Sequence, residues 1–439
     1  KSRTFETAYL EYGIMQELVK GTDKEVWFLQ DPVEDNPEHG WEEYADKYKK
    51  TLTAALFWPD VDHYEVCPWP NRVFKGRYPR KVGLAEGMIP TEDMEGAKNI
   101  PDTYATFLAG MIQTLGDMTK EESETEKDAV GVFLADSCMY QRTYPDQVEH
   151  HGQKINLSGM EDWMNRLIFQ KEEERQLLLS MEKMEYAYKE CCAFPDWFGL
   201  TLPLLKYGLP IQPVYFDHMV RYEEYLRKYR YLILSYEFMK PESEEFHHKL
   251  VEWVKQGGTL FYIGKDFDPY NYLQEWWQKF SCDTPAQHLF AEFGMDKEPA
   301  NGCYRIGEGN VLVWNEVPAL LSVNEAIADK YRNWIREGLK MGGYHWNMCN
   351  YLSVRRDPYI VIASMQESDT GSVYTKEGLF VDLYEDKYPV VERVLVEPGQ
   401  EKLLFDLEKI KEDVRIIATA ARIENLSLIH ISEPTRLQL

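Results

Sequence analysis

The residues best placed to do chemistry lie in one short run, Val61-Asp-His-Tyr-Glu-Val-Cys-Pro-Trp69. It is β-type, it carries the carboxylate Glu65, and a Pro-Trp-Pro corner closes it. Helix-forming stretches precede and follow it. A glutamate at the C-terminal end of a parallel strand faces the mouth of an α/β barrel, where such proteins keep acids, bases and nucleophiles. The structural alternative is a polar strand end paired with a nearby cation such as Arg72. Asp31 and Asp136 each end a neighbouring strand-like run and are candidates to bond ligand hydroxyls, or simply to cap the following turn. Trp69 offers a flat face for stacking, or bulk for packing. Glu34 is a rival carboxylate, three residues further out in a loop.

Elements that would position these groups alternate along the first 190 or so residues. Thr4–Lys20 has apolar residues at Ala8, Tyr12, Met15 and Val19, which is helical spacing, and Gly21 stops it. Val26–Leu29 reads as a buried strand. A helix follows with Trp41, Tyr44, Tyr48, Leu52 and Leu56 on one face. After the Glu65 strand comes a long loop, roughly Asn71–Asn99, with Arg72, Lys75, Arg77, Arg80 and Lys81. It is the one locally basic stretch. Pro101 opens another helix, Ala129–Ala135 is a nearly all-apolar strand, and Ser158-Gly-Met-Glu161 is a capping box opening a long helix. Such alternation implies parallel strands with crossover helices. Residues 1–192 are therefore expected to be a partial (β/α)8 barrel. Counting back from the long helix makes Ala129–Ala135 the eighth strand, the Glu65 strand the seventh and Val26–Leu29 the sixth. Strands one to four, and the fifth with them, would precede this sequence.

Residues 193–340 read as a second α/β unit of flavodoxin-like layout. Its strands are Ile211–Phe216, Tyr231–Ser235, Thr259–Ile263 and Gly307–Trp314. It resembles the glutamine-amidotransferase-like domains attached to several sugar-cleaving enzymes. An amidotransferase needs a cysteine on a strand-to-helix turn. The turns here, Tyr236-Glu-Phe238 and Gly264-Lys-Asp266, hold none, and His247 and His248 sit on a helix without a nucleophile. The unit is expected to be non-catalytic. Residues 341–425 turn to β-type patterning and read as a small β-sandwich.

The chain has 439 residues and a formal net charge of −25, which argues against nucleic acid or an anionic membrane as partner. Its 12 Trp and 29 Tyr suit sugar rings, and also suit cores. Seven scattered cysteines without C-x-x-C point to free thiols in a reducing compartment, the cytoplasm, and no zinc spacing occurs. No run of about 18 apolar residues is present. The sequence starts at Lys1 rather than Met, so the lack of a leader carries no inference.

A barrel, an amidotransferase-like domain and a small β-sandwich, in that order, resemble the family-42 β-galactosidases of the clan-A glycoside hydrolases, with Tyr64-Glu65 at the seventh strand. In that clan the seventh strand ends in the nucleophilic glutamate and the fourth carries the acid/base glutamate. The resemblance implies a bacterial retaining hydrolase of β-linked sugars, galactosides among them. Glu65 would be its nucleophile, with donors nearby to keep it ionised. Asp31, Glu34, Trp69 and Asp136 would bind substrate, and no cofactor or metal is required. The acid/base glutamate has no counterpart in this sequence. The middle unit is a candidate for homo-oligomer contacts. Two other readings stay open. One is a phosphorylase of the galactosyl-N-acetylhexosamine type, with the basic Arg72–Lys81 stretch binding phosphate. The other is a non-catalytic carbohydrate-binding or assembly protein.

Leu426-Ser-Leu-Ile-His-Ile-Ser-Glu-Pro-Thr-Arg436 resembles a translated sequencing adapter, so residues 426–439 are expected to be an artefact of assembled environmental DNA. A chain ending at Asn425 should then melt at the same temperature as the full sequence. A drop of several degrees, about 1 kcal/mol or more, would show that the tail packs.

Overall fold

The computed structural model describes residues 4–30, 39–58, 60–61, 63–82, 90–118, 130–135, 195–237, 239–266, 276–322, 324–366, 368, 371–410 and 416–418. The first element, α1 (Phe5–Val19), is capped by Thr4, whose hydroxyl accepts from Thr7 N–H at 3.3 Å. It leads to β1 (Trp27–Leu29). Helix α2 (Trp41–Leu56) is opened by Glu43, whose carboxylate accepts from Gly40 N–H. Strand β2 (His63–Glu65) then lies parallel to β1, with Phe28 opposite Tyr64 and Leu29 opposite Glu65.

The stretch expected to be a long basic loop is ordered differently. A short helix α3 (Pro70–Phe74) is followed by an antiparallel hairpin of β3 (Arg77–Val82) and β4 (Pro90–Asn99). Helix α4 (Asp102–Asp117) packs Tyr104, Phe107, Leu108, Met111 and Leu115 into a core shared with α2 and the C-terminal sheet.

The next strand overturns the barrel count. Strand β5 (Val130–Leu134), expected as the eighth barrel strand, pairs in parallel with β6 (Ile211–Tyr215) on one side and β7 (Tyr231–Leu234) on the other. It is the first strand of the middle sheet. β8 (Thr259–Ile263), β10 (Gly309–Trp314) and the antiparallel edge strand β9 (Gly302–Ile306) complete the order β6-β5-β7-β8-β10-β9. Numbered within the unit, its parallel strands run 2-1-3-4-5, which is the flavodoxin-like order. The physical reason is coverage. All five residues of β5 are buried, and a parallel strand with no exposed face must have layers on both sides.

Helices α5 (Pro195–Leu205), α6 (Phe216–Arg221), α7 (Glu245–Lys255), α8 (Pro285–Glu292) and α9 (Glu325–Met341) surround this sheet. The sequence suggests one helix over Val220–Tyr229. The chain instead forms α6 and a separate 3-10 turn at Tyr225–Lys228. At Gly309 a Cβ would run into the carbonyls of Val254 and Gly258, so only glycine lets β10 start beside the end of α7.

The C-terminal unit is one five-stranded antiparallel sheet among the described residues, not a two-sheet sandwich. Its strands are β11 (Tyr351–Arg356), β12 (Tyr359–Ser364), β13 (Tyr374–Asp382), β14 (Val390–Val396) and β15 (Glu401–Asp406), ordered β11-β12-β15-β13-β14. α2 takes the place of a second sheet: Tyr359, Val361, Leu403 and Phe405 pack into its core. The expected last strand, Val414–Ile423, lies mostly outside the described residues. So do the capping box at Ser158 and the adapter-like tail.

With β5 in the middle sheet, the amides of Val130–Leu134 should exchange hydrogen together with those of Tyr231–Leu234 and Thr259–Ile263, near the global opening free energy of that unit. Exchange of Val130–Leu134 in step with His63–Glu65 instead would return β5 to the first unit.

Candidate functional site

Strands β1 and β2 divide their side chains cleanly between two faces. Phe28 is buried against Tyr12 of α1, with ring centroids 4.4 Å apart, and Tyr64 lies beside Phe28. The Tyr64 hydroxyl donates to Val61 C=O at 2.9 Å and accepts from the Arg356 guanidinium at 3.1 Å. The opposite face carries Trp27, Leu29, His63 and Glu65. Trp27 is 62% exposed, Leu29 is 49% exposed, and the Trp27 and His63 rings lie 4.8 Å apart. The ladder runs one residue past β1, where Gln30 N–H donates to Glu65 C=O at 2.7 Å. That bond pins the two strand ends side by side. Gln30 therefore lies beside Glu65.

Glu65 is exposed, and among the described residues no hydrogen bond or ion pair engages its carboxylate. The donors expected to hold it ionised are not supplied by these residues, and Arg72 does not pair with it. The Arg72 guanidinium instead lies 5.9 Å from the Trp69 ring centroid. Trp69, 55% exposed, precedes the first turn of α3, and its carbonyl accepts from Arg72 and Val73 N–H. Tyr48 of α2 donates to Val66 C=O at 3.0 Å and fixes the path from Glu65 to Trp69. Asp31, Glu34 and Asp136 lie outside the described residues. Asp136 follows β5, a strand of the middle sheet, so its expected seat on a barrel strand next to Glu65 loses its basis. Sequence reading missed Trp27 and His63. The signal was parity: each lies two residues from an exposed residue of its strand, Leu29 or Glu65, and so shares its face.

Arg77 and Arg80 both pair with Asp93 across the β3–β4 hairpin, at 3.3 and 3.4 Å. Arg77 also donates to Ala97 C=O. Two of the five cations expected to hold phosphate are thus engaged within the hairpin.

In the middle unit the two strand-end turns are tied together. One Glu237 carboxylate oxygen accepts from Lys265 N–H at 2.7 Å and Asp266 N–H at 2.8 Å. Behind them runs a buried chain: Tyr236 hydroxyl to His247 Nε2 at 2.6 Å, and His247 Nδ1 to His288 Nδ1 at 2.8 Å. Burial, then the neighbouring His288 and His248, hold His247 well below the usual histidine range, so its ring is neutral. The described cysteines, Cys67, Cys282, Cys303 and Cys349, are free thiols, and none is on either turn.

A cavity of about 380 Å³ opens where the three units meet. Its lining includes Glu6 of α1, Lys50 of α2, Lys206 after α5, Arg332 of α9 and Glu401 of β15. Burial, reinforced by the charges of Asp46 and Glu6 and opposed by Lys50 and Lys49, pushes the Glu401 carboxyl up to about 8. Among the described residues no group of three or more His, Cys, Asp or Glu side chains is arranged to hold a metal ion, and no helix is long and apolar enough to cross a membrane.

No family model matches the sequence, and no curated protein matches it significantly. Solved structures similar to part of it include Gan42B, a GH42 β-galactosidase, with 13% identity, a TM-score of 0.30 and coverage of 49% of this chain and 36% of that one. A β-galactosidase from Bacillus circulans sp. alkalophilus shows 12% identity and a TM-score of 0.30 over 48% and 37%. A catalytic mutant of Gan42B from G. stearothermophilus shows 13% identity and a TM-score of 0.30 over 48% and 36%. The likeness is distant, and the matched part spans about a third of those proteins.

Glu401 sets a testable pH dependence. Its folded pKa of about 8 lies above the ordinary 4.5, so the folded state holds the proton more tightly. The stability it contributes is full below about 4.5 and is lost as pH rises through about 8. Urea midpoints should fall between pH 5 and pH 9, and Glu401→Gln should flatten that fall. An unchanged slope in the variant would assign the effect to another group.

Proposed function

We propose that this chain is part of a retaining glycoside hydrolase acting on β-linked sugars, galactosides among them, with one catalytic carboxylate, Glu65, at the end of β2. One observation carries the reading. A parallel strand pair is covered by helices on one face and on the other carries exposed Trp27, Leu29 and Glu65 with a half-buried His63. Parallel strands are buried on both faces in finished folds, and barrel strands bring carboxylates to their C-terminal ends. In this reading the cover would be further barrel strands, one of which would bring the acid/base glutamate.

Moving β5 to the middle sheet changes the strand numbering. Counted back from there, β1 becomes the seventh strand and β2 the eighth. By the clan's pattern the nucleophile's seat then falls on the stretch just after Gln30, where Glu34 is the rival to Glu65. Glu34 lies outside the described residues, so labelling has to decide between the two. In a retaining mechanism one carboxylate attacks the anomeric carbon and an acid about 5–5.5 Å away protonates the leaving oxygen. Exposed Trp69 is suited to stack on a sugar ring.

The phosphorylase reading is weakened by Asp93, which already engages Arg77 and Arg80. A non-catalytic sugar-binding reading keeps one specific support. Gln30, the residue that directly follows β1 beside Glu65, is a fully buried amide and not a carboxylate. Self-association through the middle unit and a cytoplasmic setting belong to the proposal as well.

The intact parent chain decides among these. Reaction with a fluorinated galactosyl probe, followed by mass spectrometry, should label Glu65 or Glu34. If Glu65 is the nucleophile, Glu65→Gln lowers turnover by several orders of magnitude with little change in substrate affinity. A label on Glu34 passes the nucleophile's role to it. Sugar binding without label or turnover would establish the non-catalytic reading and remove the hydrolase.

A further inference from the structure

The cavity where the three units meet plays no part in the hydrolase reading, and no residue of β1 or β2 lines it. Its volume, about 380 Å³, lies within the range of small-molecule sites, about 300–1,000 Å³. Two acids on its wall are unused. Glu6, in the first turn of α1, is 9% exposed, and Glu401 of β15 is half-buried. Among the described residues no hydrogen bond or ion pair engages either carboxyl. A carboxylate taken out of water needs donors in place of the lost hydration, and leaving its lone pairs unmet is costly. The N-terminus of α1 favours the Glu6 charge without filling those lone pairs. An unpartnered, nine-tenths buried carboxylate on a cavity wall calls for a ligand that donates hydrogen bonds.

Donors stand on the same wall. Lys50 of α2 lines it, and among the described residues its Nζ bonds only Asp46, at 2.6 Å, which leaves protons for a ligand. Lys206 approaches from the end of α5. Arg332 of α9 is 3% exposed, lies 3.8 Å from the Tyr207 ring centroid and bonds Glu325 and Asp329, so its charge is balanced in place. Thr7, Ser322 and Gln366 add side chains that both donate and accept. With its carboxyl pushed up to about 8, Glu401 is largely protonated at neutral pH and does the same.

That mixture selects a ligand class. An anion would face Glu6 and Glu325, and an ammonium would face Lys50, Lys206 and Arg332. A neutral polyol meets neither conflict, because each hydroxyl can donate to a carboxylate and accept from an ammonium or a hydroxyl. Leu202, Pro203 and Met365 supply apolar wall for the C–H face of a ring. We propose that this cavity binds a mono- or disaccharide, with the Glu6 carboxylate accepting from its hydroxyls and Lys50 donating to them. The site is separate from Glu65 and does not depend on the hydrolase reading.

Isothermal titration calorimetry of the full chain at neutral pH tests this with galactose, glucose and lactose, and with galactosamine and galacturonate as charged counterparts. At least one neutral sugar should bind saturably, and each charged counterpart at least about tenfold more weakly, the effect of one unfavourable charge contact. Glu6→Ala should weaken the neutral sugar at least about tenfold, the loss of one hydrogen bond to a charged group. Gln366→Trp fills the rim from an exposed position and should abolish binding without disturbing a core residue. No saturable heat from any neutral sugar, or tighter binding of a charged counterpart, would overturn the proposal. So would unchanged affinity in either variant with unchanged circular dichroism, since the sugar would then sit elsewhere.

Discussion

A parallel β-strand has to be covered on both faces, because helical crossovers lie above and below it and its backbone tolerates no wet side. That constraint organises this chain. β5, β7 and β8 are buried along their whole lengths, and their residues are apolar almost without exception. They could only settle in the middle of a sheet with helices on both sides. β1 and β2 are different. Each offers one inward residue to the helices, Phe28 or Tyr64, and the other face is left bare.

The first unit is held to the other two by buried polar contacts as well as by packing. Tyr9 of α1 donates to Ile211 C=O at 3.1 Å. Glu17, Tyr225 and Tyr215 N–H form a chain between α1 and the middle unit. On the other side Thr53 bonds the Tyr384 hydroxyl, and Arg356 reaches the Tyr64 hydroxyl from the C-terminal sheet. Each such bond is worth about 1 kcal/mol net, and about 1–3 kcal/mol is lost when one partner is removed and the other stays buried. The direction of β2, and with it the place of Glu65, is thus set by residues more than 290 positions away.

Much of the layout is legible in the sequence because it depends on local pattern. Asn324 caps a helix where an Asx residue precedes an amphipathic run, and Glu65 stands out as a carboxylate at a strand end. The strand count went wrong on a distinction that was also present. Val130-Gly-Val-Phe-Leu134 is apolar at every position, the mark of a doubly covered strand, while His63-Tyr-Glu65 is not. The hairpin at Arg77–Asn99 was hidden because its partner strand, Pro-Thr-Glu-Asp-Met-Glu-Gly-Ala-Lys-Asn, has little β-type character of its own. Glu401 could not be found from spacing. The raised Glu401 carboxyl comes from burial, reinforced by Asp46 and Glu6, which are brought in from the far end of the chain.

The bare face of β1 and β2 also has a direction. At the strands' beginning stand Trp27 and His63, in ring contact; at their end stand Leu29 and Glu65. A face destined for an ordinary helix layer would be apolar throughout, as β5, β7 and β8 are. A face that runs from bulky rings to a free carboxylate suits a cover that packs tightly at one end and opens at the other. A closed barrel has that shape, with side-chain layers filling its base and strand ends opening at its mouth. The proposed site therefore rests less on Glu65 alone than on the gradient along two three-residue strands. In the proposed barrel, a carboxylate at the open end would face solvent and substrate, and the rings behind it would pack against the neighbouring strands.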